Sequence, residues 1–520
     1  MAVVEYTYDE IKKYIDLPIE KIVEILNNLG APTEVDQTIV SEITPNRADW
    51  YSLVGLVRSI KIFEGSLKNQ YTARKSEYTV IVDEVKERPY TVCAVIKNLK
   101  FDDQKIRDIV TLQEKLIWNP GRKAKKYGIG IYPLDKLTFP LKYTTMDKDK
   151  IKYTPLGFDS EMSADEIIKN HKKGVQYGDI IKNYKKYPVF IDKNNKIMAM
   201  LPIVNSAQSG KIDEKTTEVF VEVSGVDKEA ISAALNVICC ALADIGGQIY
   251  QVTHKYKEEE IYPNLTEKKF KLNSFEIEKV VGINFSEKEL EKYLLKMGYG
   301  FNKGEILVPP YRSDIISNID IIEDIIIAFG FNNFEPTLPD FFSAGKKNTK
   351  FDYLRQILIG MGFLEIKTFS LTNKQKLNEI GFNGNYEEIS NPLGEEYTIL
   401  RPSAIGEMLE VISINKMKKI PQKYFETALV HENDKTKEKI VISIVNQKIE
   451  FSEIRGYLQT LFYELDKKFD LEKTKIEVFE DNSCIIKINN KNCGIIGKIK
   501  KEICEKKGIV NEVYICEFEI

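Results

Sequence analysis

Four carboxylates lie within residues 308–330, VPPYRSDIISNIDIIEDIIIAFG, and they are Asp314, Asp320, Glu323 and Asp324. The last three are spaced i, i+3 and i+4, so a helix would place them on one face. Like charges on one helical face repel each other by about 0.2–0.5 kcal/mol per pair, and a positive partner would offset this repulsion. That partner is either a divalent cation such as Mg²⁺, which takes oxygen ligands and needs only one or two direct carboxylates, or a basic partner surface. The alternative is a solvated acidic face, which is the usual role of such runs.

The same stretch has a gapless counterpart earlier in the chain. Residues 45–65, PNRADWYSLVGLVRSIKIFEG, align with residues 310–330 at a shift of 265 positions. The three acids of the helical face are matched by Gly55, Arg58 and Ser59. The two segments therefore predict two modules with one local fold, and because the first copy lacks the acids, their presence in the second favours a function over a packing role. Identical pairs anchor the alignment, among them Pro45/Pro310, Arg47/Arg312, Asp49/Asp314, Ser52/Ser317 and Gly65/Gly330.

Length and composition limit the classes of protein to which the chain can belong. Its 520 residues predict about three to five domains, and 43% hydrophobic with 29% charged residues is ordinary for a globular protein. No apolar run is long enough to cross a membrane, and the N-terminus lacks an apolar signal core, so we expect a cytoplasmic protein without a membrane partner. Seven cysteines without C-x-x-C spacing indicate free thiols, and three isolated histidines make a zinc site or a histidine triad a poor candidate. A net charge of −3 leaves only local basic patches to contact RNA.

The pattern of apolar residues changes along the chain. Helical periodicity covers 8–29, and residues 78–260 alternate short β-rich runs with helical stretches at 103–117 and 228–245, which predicts a mixed α/β domain. Within it, the basic segment GRKAKKYG at 121–128 is either a phosphate contact or, more commonly, a solvated loop. Residues 345–520 predict a last α/β domain. Its expected helices lie at 349–362 and 452–466, and its expected strands include EIKTFSL, KYFETALVHE, KIEVFE, SCIIKINN, NCGIIGKI and EVYICEFEI.

Three stretches of the chain resemble the β subunit of phenylalanine–tRNA ligase. They are TPNRADWYSLVGLVRSI, LVPPYRSDIISNIDIIEDIIIAFGFNNFEPTLP and SNPLGEEYTILRPSAIGEML, and the resemblance spans nearly the whole chain. Size and domain order resemble the archaeal and eukaryotic cytosolic form. The resemblance implies an α2β2 aminoacyl-tRNA ligase in which the α subunit binds ATP, phenylalanine and the tRNA acceptor end and performs the reaction. It also implies Mg²⁺ held by Asp314, Asp320, Glu323 and Asp324 in a site shared with the α subunit.

The last domain is similar to the core of a class II synthetase, and its residues indicate that this core is inactive. Charge that develops on ATP phosphates must be stabilised, usually by arginines. Residues 345–520 contain only three arginines, at positions 355, 401 and 455. The stretch FETALVHE at 425–432 has none, although an active core would present an ATP-binding arginine there. We therefore expect a structural and interface domain.

Residues 78–261 resemble the family's editing domain, which hydrolyses tyrosine wrongly attached to the tRNA. A second hydrolytic pocket is useful because an apolar pocket only weakly rejects an isostere that carries one extra hydroxyl. The resemblance carries over Asn205, Ser206, Glu218 and Asp227 as candidate pocket residues. Each has a structural alternative, such as a turn at Asn205 and Ser206 or an exposed position for Glu218.

One departure from the family's pattern bears on editing. The family commonly has His after Lys-Leu, whereas in this chain Ile117 follows Lys115 and Leu116. Packing or tRNA contact is the alternative role of the domain.

Together these observations predict an α+β multidomain protein with two related small helical modules, a mixed α/β editing-like domain and a C-terminal antiparallel-sheet domain similar to a class II synthetase. The expected parts are residues 1–77, 78–261, 262–340 and 341–520. The expected function is that of a phenylalanine–tRNA ligase β subunit that supports ATP-dependent attachment of phenylalanine to tRNA and takes part in editing. The alternatives are a stand-alone tRNA-editing hydrolase and a non-catalytic RNA-binding scaffold.

Overall fold

The structure is a computed structural model that describes residues 2–67, 70–302, 304–338, 343–345 and 349–520. Its contacts divide the chain into two compact units, Met1–Leu338 and Pro339–Ile520. The division falls close to the expected start of the last domain at residue 341. The other expected boundaries lie inside the first unit and stay predictions.

The beginning of the chain forms a small antiparallel sheet flanked by helices. The third strand along the chain lies between the other two. Helical periodicity over 8–29 is interrupted before Pro18, where one helix has ended and the next begins, so the predicted helical stretch is two helices. The strands are Ala2–Tyr6, Thr33–Val35 and Ile39–Ile43, and the helices are Tyr8–Lys12, Ile19–Asn28, Leu53–Phe63 and the 3₁₀ turn Ala48–Tyr51.

Residues 268–333 repeat this arrangement. The succession strand, two helices, two strands and a final long helix is the same, and again the third strand lies between the other two. The strands are Lys268–Lys271, Gly300–Asn302 and Glu305–Val308, and the helices are Ser274–Val281, Glu287–Lys296, Asn318–Phe329 and the 3₁₀ turn Phe331–Asn333. The similarity in sequence at a shift of 265 positions therefore has a counterpart in topology.

A large mixed sheet lies between the two modules in sequence. Most neighbouring strands are antiparallel, and the parallel pairs are those that Thr79–Val82 makes with its neighbours and that Ala73–Arg74 makes with Gln248–Lys255. The strands in spatial order are Val204–Asn205, Ile197–Met200, Lys186–Ile191, Leu141–Asp147, Thr79–Val82, Gln248–Lys255, Tyr90–Lys97, Val219–Gly225 and Tyr127–Pro133, with Ala73–Arg74 and Glu259–Tyr262 also pairing with Gln248–Lys255.

Helices and short strands cover this sheet. Every residue of Val219–Gly225 is buried, which explains why this strand reads as an apolar run rather than as an alternating one. Val221 belongs to one apolar core, together with residues of both small modules, and Phe220 belongs to another core on the opposite face. The covering elements are the helices Asp103–Trp118, Ala164–Asn170, Lys172–Ile181 and Lys228–Asp244, the 3₁₀ turns Leu134–Lys136 and Lys148–Lys150, and the strand pair Lys152–Tyr153 and Met162–Ser163.

The second unit is built on another sheet, antiparallel except at one edge. Its strands in spatial order are Leu364–Glu365, Gln422–Glu432, Lys435–Asn446, Glu512–Phe518, Lys491–Lys498, Cys484–Ile488 and Asp470–Lys473. A smaller sheet contains Leu371–Thr372, Ile399–Leu400 and Glu387–Glu388. The helices are Asp352–Gly360, Lys374–Glu379, Ile405–Ile414, Phe451–Glu464 and Lys501–Lys506.

Alternation along the strands of the second unit produces two cores. Val441 and Val445 face the helix Ile405–Ile414, whereas Ile442 and Ile444 face the helix Phe451–Glu464. The expected strand at KIEVFE is wrong, because Phe479 makes only an isolated bridge there.

The composition of the chain predicts that it has no membrane-spanning helix and that its cysteines are free thiols. Among the described helices, none is long and apolar enough to cross a membrane. The cysteines are free thiols, as the lack of C-x-x-C spacing predicts.

Candidate functional site

Arg312 holds two of the four predicted metal ligands. Its Nε and Nη2 donate to the two carboxylate oxygens of Asp314 at 2.9 and 2.8 Å, and Nη2 also lies 2.7 Å from Oδ2 of Asp324. The Tyr299 hydroxyl donates to the same oxygen of Asp324. Burial opposes the charge of Arg312, but Asp324 and Asp314 hold its pKa above the ordinary value. These two carboxylates are therefore buried partners of a guanidinium.

The other two predicted ligands lie at the beginning of the helix Asn318–Phe329. Oδ2 of Asp320 accepts hydrogen bonds from the backbone N–H groups of Ile316 and Ser317 at 2.8 and 2.7 Å, which completes a capping box. Partial burial raises the pKa of Asp320, but these backbone hydrogen bonds outweigh it and lower the pKa. Glu323, one turn further along the helix, is exposed.

The described residues contain no group of three or more His, Cys, Asp or Glu side chains disposed to hold a metal ion. The chemistry of the four predicted ligands suits Mg²⁺, because carboxylate oxygens are the ligands that this ion prefers. Their arrangement as a set of four does not fit one ion, because Asp314 and Asp324 are already ion-paired with the guanidinium of Arg312. Asp320 and Glu323 are the pair that remains toward solvent.

The first module contains the same contact at the matching positions. Arg47 donates from Nε and Nη2 to the two oxygens of Asp49 at 2.9 Å each, and its Nη2 lies 3.4 Å from Oγ of Ser59. Ser59 is the counterpart of Asp324, so in both copies an arginine joins a loop aspartate to the same position of the long helix. Asp324 therefore has a structural role that the alignment of the two segments did not reveal.

The position of Glu323 differs between the copies. Its counterpart Arg58 is buried and binds Asp49 at 3.3 Å and Asp244 at 2.7 Å. An internal cation in the first module is thus replaced by an exposed carboxylate in the second, which leaves Glu323 without the packing role of its counterpart.

Two of the predicted editing residues follow the sheet strand Ile197–Met200: Asn205 lies in the strand Val204–Asn205, which pairs with it, and Ser206 makes an isolated bridge to Pro155. Asn205 accepts a hydrogen bond from the Tyr132 hydroxyl at 3.1 Å. Ser206 is buried, its backbone N–H donates to Met198 at 2.7 Å, and its Oγ accepts a hydrogen bond from a backbone N–H within the turn. Of these two residues, only Asn205 contacts the polar side chain of another strand, that of Tyr132.

The other two predicted editing residues lie elsewhere. Glu218 is about half-buried and lies 3.6 Å from the ammonium of Lys97. Asp227 caps the helix Lys228–Asp244 by accepting from the Ala230 N–H at 3.0 Å, and this hydrogen bond, with the ammonium of Lys126 at 2.9 Å, lowers its pKa. The four residues therefore do not form one pocket.

Glu222 faces Tyr132, whose hydroxyl donates to Asn205. The sequence analysis did not select Glu222 as a candidate. Glu222 is fully buried and lies opposite Gly130 in the sheet register. A Cβ placed on Gly130 would be 2.7 Å from Oε1 of Glu222 and closer still to the Tyr132 hydroxyl, so only a glycine lets these two groups pack against the strand at this position. Oε2 accepts from Ser224 at 2.6 Å, whereas Oε1 lies beside the Tyr132 hydroxyl, which donates its proton to Asn205 and leaves this oxygen without a donor among the described residues. Burial raises the pKa of Glu222 to about 7. In the sequence, Glu222 could have been recognised as the single acid within the apolar run VFVEVSG.

In the second unit, arginines serve the fold. Arg401 is fully buried, its Nη2 donates to Glu426 at 2.9 Å, and its Nε donates to the Leu429 carbonyl at 2.8 Å. Arg355 donates to Glu365 at 2.8 Å near the sheet edge. Neither guanidinium is available for a nucleotide in this arrangement.

The hairpin of this sheet has a minimal turn. The strands Gln422–Glu432 and Lys435–Asn446 are joined by Asn433 and Asp434 alone, both with positive φ (52° and 59°). Such a two-residue turn is the tightest common hairpin connection. This turn is too short to fold over a ligand bound on the sheet.

Comparison with known proteins agrees with the residues described above. The phenylalanyl tRNA synthetase beta chain CLM domain matches residues 335–520, and the tRNA synthetase B5 domain matches residues 270–331. The phenylalanine–tRNA ligase β subunit of Archaeoglobus fulgidus is 33% identical over 540 aligned residues, which cover 100% of this chain and 98% of that protein. This chain belongs to the family of phenylalanine–tRNA ligase β subunits. The β subunit of Methanosphaera stadtmanae is 32% identical, with 97% of this chain and 96% of that protein covered.

A solved structure supports the same family. An N-terminal fragment of the phenylalanyl-tRNA synthetase β subunit from Pyrococcus horikoshii has a TM-score of 0.60 and 32% identity, and it covers 64% of this chain and 100% of that fragment. The chain is therefore a β subunit of an aminoacyl-tRNA ligase. The relatives named here are archaeal, which agrees with the predicted archaeal and eukaryotic cytosolic form.

Proposed function

We propose that this chain supports the attachment of phenylalanine to tRNA as the non-synthetic subunit of an α2β2 ligase, and that the α subunit binds ATP and phenylalanine and performs the reaction. The observation that carries this proposal is the closed pairing of Arg401 with Glu426 beneath a hairpin with a two-residue turn. A sheet that activates an amino acid needs free positive charge at the phosphates. Here the buried guanidinium is neutralised within the core.

The partner subunit can be tested by affinity capture of the full chain from its native cell. We expect a second polypeptide in equimolar amount, identified by mass spectrometry as a class II synthetase subunit that carries the arginines absent here. Recovery of the chain alone, at native concentration and salt, would contradict the proposed complex.

We propose further that Mg²⁺ is bound at the exposed beginning of the helix Asn318–Phe329, where Asp320 and Glu323 would hold it together with ligands from the partner subunit. One or two carboxylates are enough for this ion because it keeps several waters. The ion would supply positive charge that joins two acidic surfaces. Asp314 and Asp324, the other two predicted ligands, would act through Arg312 by fixing the position of the helix.

The large mixed sheet supports a proposal of hydrolytic editing centred on Glu222. A buried carboxyl with one oxygen unpaired is incomplete until a donor reaches it. The phenolic hydroxyl of a tyrosyl ester would supply that donor, whereas a phenylalanyl ester would leave the oxygen unpaired. A site built to bind a hydroxyl can reject the analogue that lacks it by a factor on the order of 10⁴.

Editing is tested by the hydrolysis of Tyr-tRNA and of Phe-tRNA by the purified complex. Glu222→Gln should lower the preference for Tyr-tRNA at least about tenfold, because an amide is a weaker acceptor than a carboxylate. Glu218→Gln is the matched control, since it removes a partly exposed carboxyl close by in the chain. Equal preference in the wild type and the Glu222 variant would contradict the role of Glu222.

A further inference from the structure

We propose that a basic surface around Trp118 binds single-stranded RNA. This inference rests on the proposed function, because a chain that takes part in editing must hold the unpaired end of a tRNA. We define the Trp118 surface by six residues, one exposed ring and five cations that are near it in the chain or line the adjoining cavity. They are Lys115, Trp118, Arg122, Lys123, Lys125 and Lys172.

The loop that carries three of these cations has an unusual backbone. After the helix Asp103–Trp118, the residues Arg122, Lys123 and Ala124 all have positive φ, at 50°, 53° and 63°. Left-handed conformations are rare for residues other than glycine and persist only where the surroundings fix them. Gly121 makes the entry possible, because a Cβ there would lie 2.5 Å from the Ile117 carbonyl oxygen.

A buried arginine fixes this loop from inside the domain. Arg88 is fully buried, and its Nη1 donates to the carbonyl oxygens of Ala124 and Lys125 at 3.3 and 3.4 Å. Ala124 is itself fully buried, so the loop is anchored at its centre. The side chains of Arg122, Lys123 and Lys125 consequently all face solvent from a rigid turn.

One acid, Glu114, lines the cavity beside Trp118, and its carboxylate forms a salt bridge with Lys173 at 3.1 Å rather than with a cation of the Trp118 surface. Within the described residues, Arg122, Lys123, Lys125 and Lys172 form no salt bridge with a carboxylate. Such a concentration of unpaired positive charge is unusual in a chain whose net charge is −3. Phosphate groups are the ligands that clustered Lys and Arg side chains bind by displacing counterions.

An exposed aromatic ring lies in the middle of this charge. The Trp118 side chain is 45% exposed, and the ammonium of Lys123 is 4.9 Å from its ring centroid. The ring borders a cavity of about 490 Å³ that is also lined by Val3, Lys115 and Lys172. A flat aromatic ring among cations is the combination that holds unpaired bases by stacking and their phosphates by charge. A membrane surface would require a larger apolar area, and an acidic peptide would not need the exposed ring.

The Trp118 surface is connected to the proposed editing residue. The loop continues directly as the strand Tyr127–Pro133, in which Gly130 lies opposite Glu222. Arg88 also donates from Nη2 to the Ser224 carbonyl at 3.0 Å, and the Ser224 hydroxyl donates to Glu222 at 2.6 Å. One arginine therefore fixes both the RNA-binding loop and the strand that carries Glu222.

Tryptophan fluorescence of the full chain provides the test. The chain has two tryptophans, and Trp50 is buried with 1% exposure, so RNA-dependent quenching reports on Trp118. The probes are a single-stranded RNA oligonucleotide, a duplex of the same sequence and vesicles of anionic phospholipid. We expect the single strand to quench the fluorescence, the duplex to quench it much less and the vesicles to have no effect. No quenching by the single strand, or equal quenching by the duplex or the vesicles, would overturn the proposal.

Variants separate stacking from charge, with binding of the labelled oligonucleotide followed by anisotropy. Trp118→Ala should weaken binding about tenfold and Trp118→Phe should restore most of it, because stacking needs a ring of any kind. Changing both Arg122 and Lys123 to Gln should lower the slope of log affinity against log salt by about 1.4, because each phosphate that is no longer neutralised lowers it by about 0.7. Lys193→Glu, an exposed loop lysine outside this surface, should leave the affinity unchanged, and a decrease equal to that of the surface variants would overturn the assignment.

Failure of this inference is distinguishable from failure of the proposed function. Synthesis of Phe-tRNA by the complex is measured in parallel with the quenching. If the complex synthesises Phe-tRNA but RNA does not quench the fluorescence of Trp118, only the proposed RNA binding by the Trp118 surface is overturned.

Discussion

The buried carboxyl of Glu222 makes the stability of the first unit depend on pH. Burial raises its pKa from 4.5 to about 7. One pKa unit corresponds to about 1.4 kcal/mol, so ionising this carboxyl in the folded chain costs about 3 kcal/mol more than in the unfolded chain. The folded state holds the proton more tightly, so the stabilisation is complete below pH 4.5 and is lost as the pH rises through about 7.

Glu222→Gln removes this dependence, because the amide is neutral at every pH. We expect the stability of the variant relative to the wild type to increase by about 3 kcal/mol between pH 4.5 and about 8. Urea unfolding followed by tryptophan fluorescence measures this, since both tryptophans, Trp50 and Trp118, lie in Met1–Leu338. Glu218→Gln is the control. That carboxyl is partly exposed, so the stability of this variant relative to the wild type should not increase between pH 4.5 and about 8. A stability difference between Glu222→Gln and the wild type that does not change with pH would refute the reasoning.

Three further predictions follow from buried or capping charges. Asp324→Ala should destabilise the first unit by about 3 kcal/mol because it breaks a buried ion pair, whereas Asp324→Ser, which copies the first module, should cost less. Urea unfolding compares them, and a decrease no larger than that of the exposed Glu323→Ala would contradict the structural role of Asp324. Arg401→Met should lower stability by about 3 kcal/mol, because it removes the buried cation that pairs with Glu426 and leaves that carboxylate with only Thr368 and the more distant Lys367. The exposed Arg455→Met should change stability by less than about 0.5 kcal/mol; thermal unfolding compares the two, and equal effects would refute the buried pair. Asp320→Asn should weaken Mg²⁺-dependent assembly with the partner subunit in size-exclusion chromatography, and assembly that resists both this change and a chelator would contradict the proposed ion.

Sequence patterns predicted the repeat and the long helices because these depend on local periodicity. The match at a shift of 265 positions corresponds to two modules of one topology, and the helices expected at 103–117 and 228–245 form as Asp103–Trp118 and Lys228–Asp244. Such helices have strong apolar faces and clear caps, as with Asp227. Both signals are contained in short stretches of chain.

The division of the acid cluster could not be predicted from spacing. Positions i+3 and i+4 lie close together on a helix, so spacing does not show that Asp324 faces inward and Glu323 outward. The deciding contact comes from Arg312, which precedes the helix and pairs with Asp324 in space, as Arg47 pairs with Ser59 in the first module. Spatial contact, rather than residue type, assigned the structural role.

Glu222 was missed for a related reason. A strand that is buried on both faces has no alternation to show which residues share a site. The pairing of Val219–Gly225 with Tyr127–Pro133 places Glu222 beside Gly130, a contact between residues distant in sequence. In the second unit, the failure of KIEVFE to form a strand shows the same limit, because Phe479 finds only one bridge partner.

The central claim is that synthesis depends on a second polypeptide, and phenylalanine-dependent exchange of pyrophosphate into ATP tests it most directly. The exchange rate is measured for this chain alone, for the partner subunit alone and for the two combined. We predict no exchange above background by this chain at any concentration, and rapid exchange by the complex. Exchange catalysed by this chain alone, and abolished by Arg401→Met, would contradict the claim.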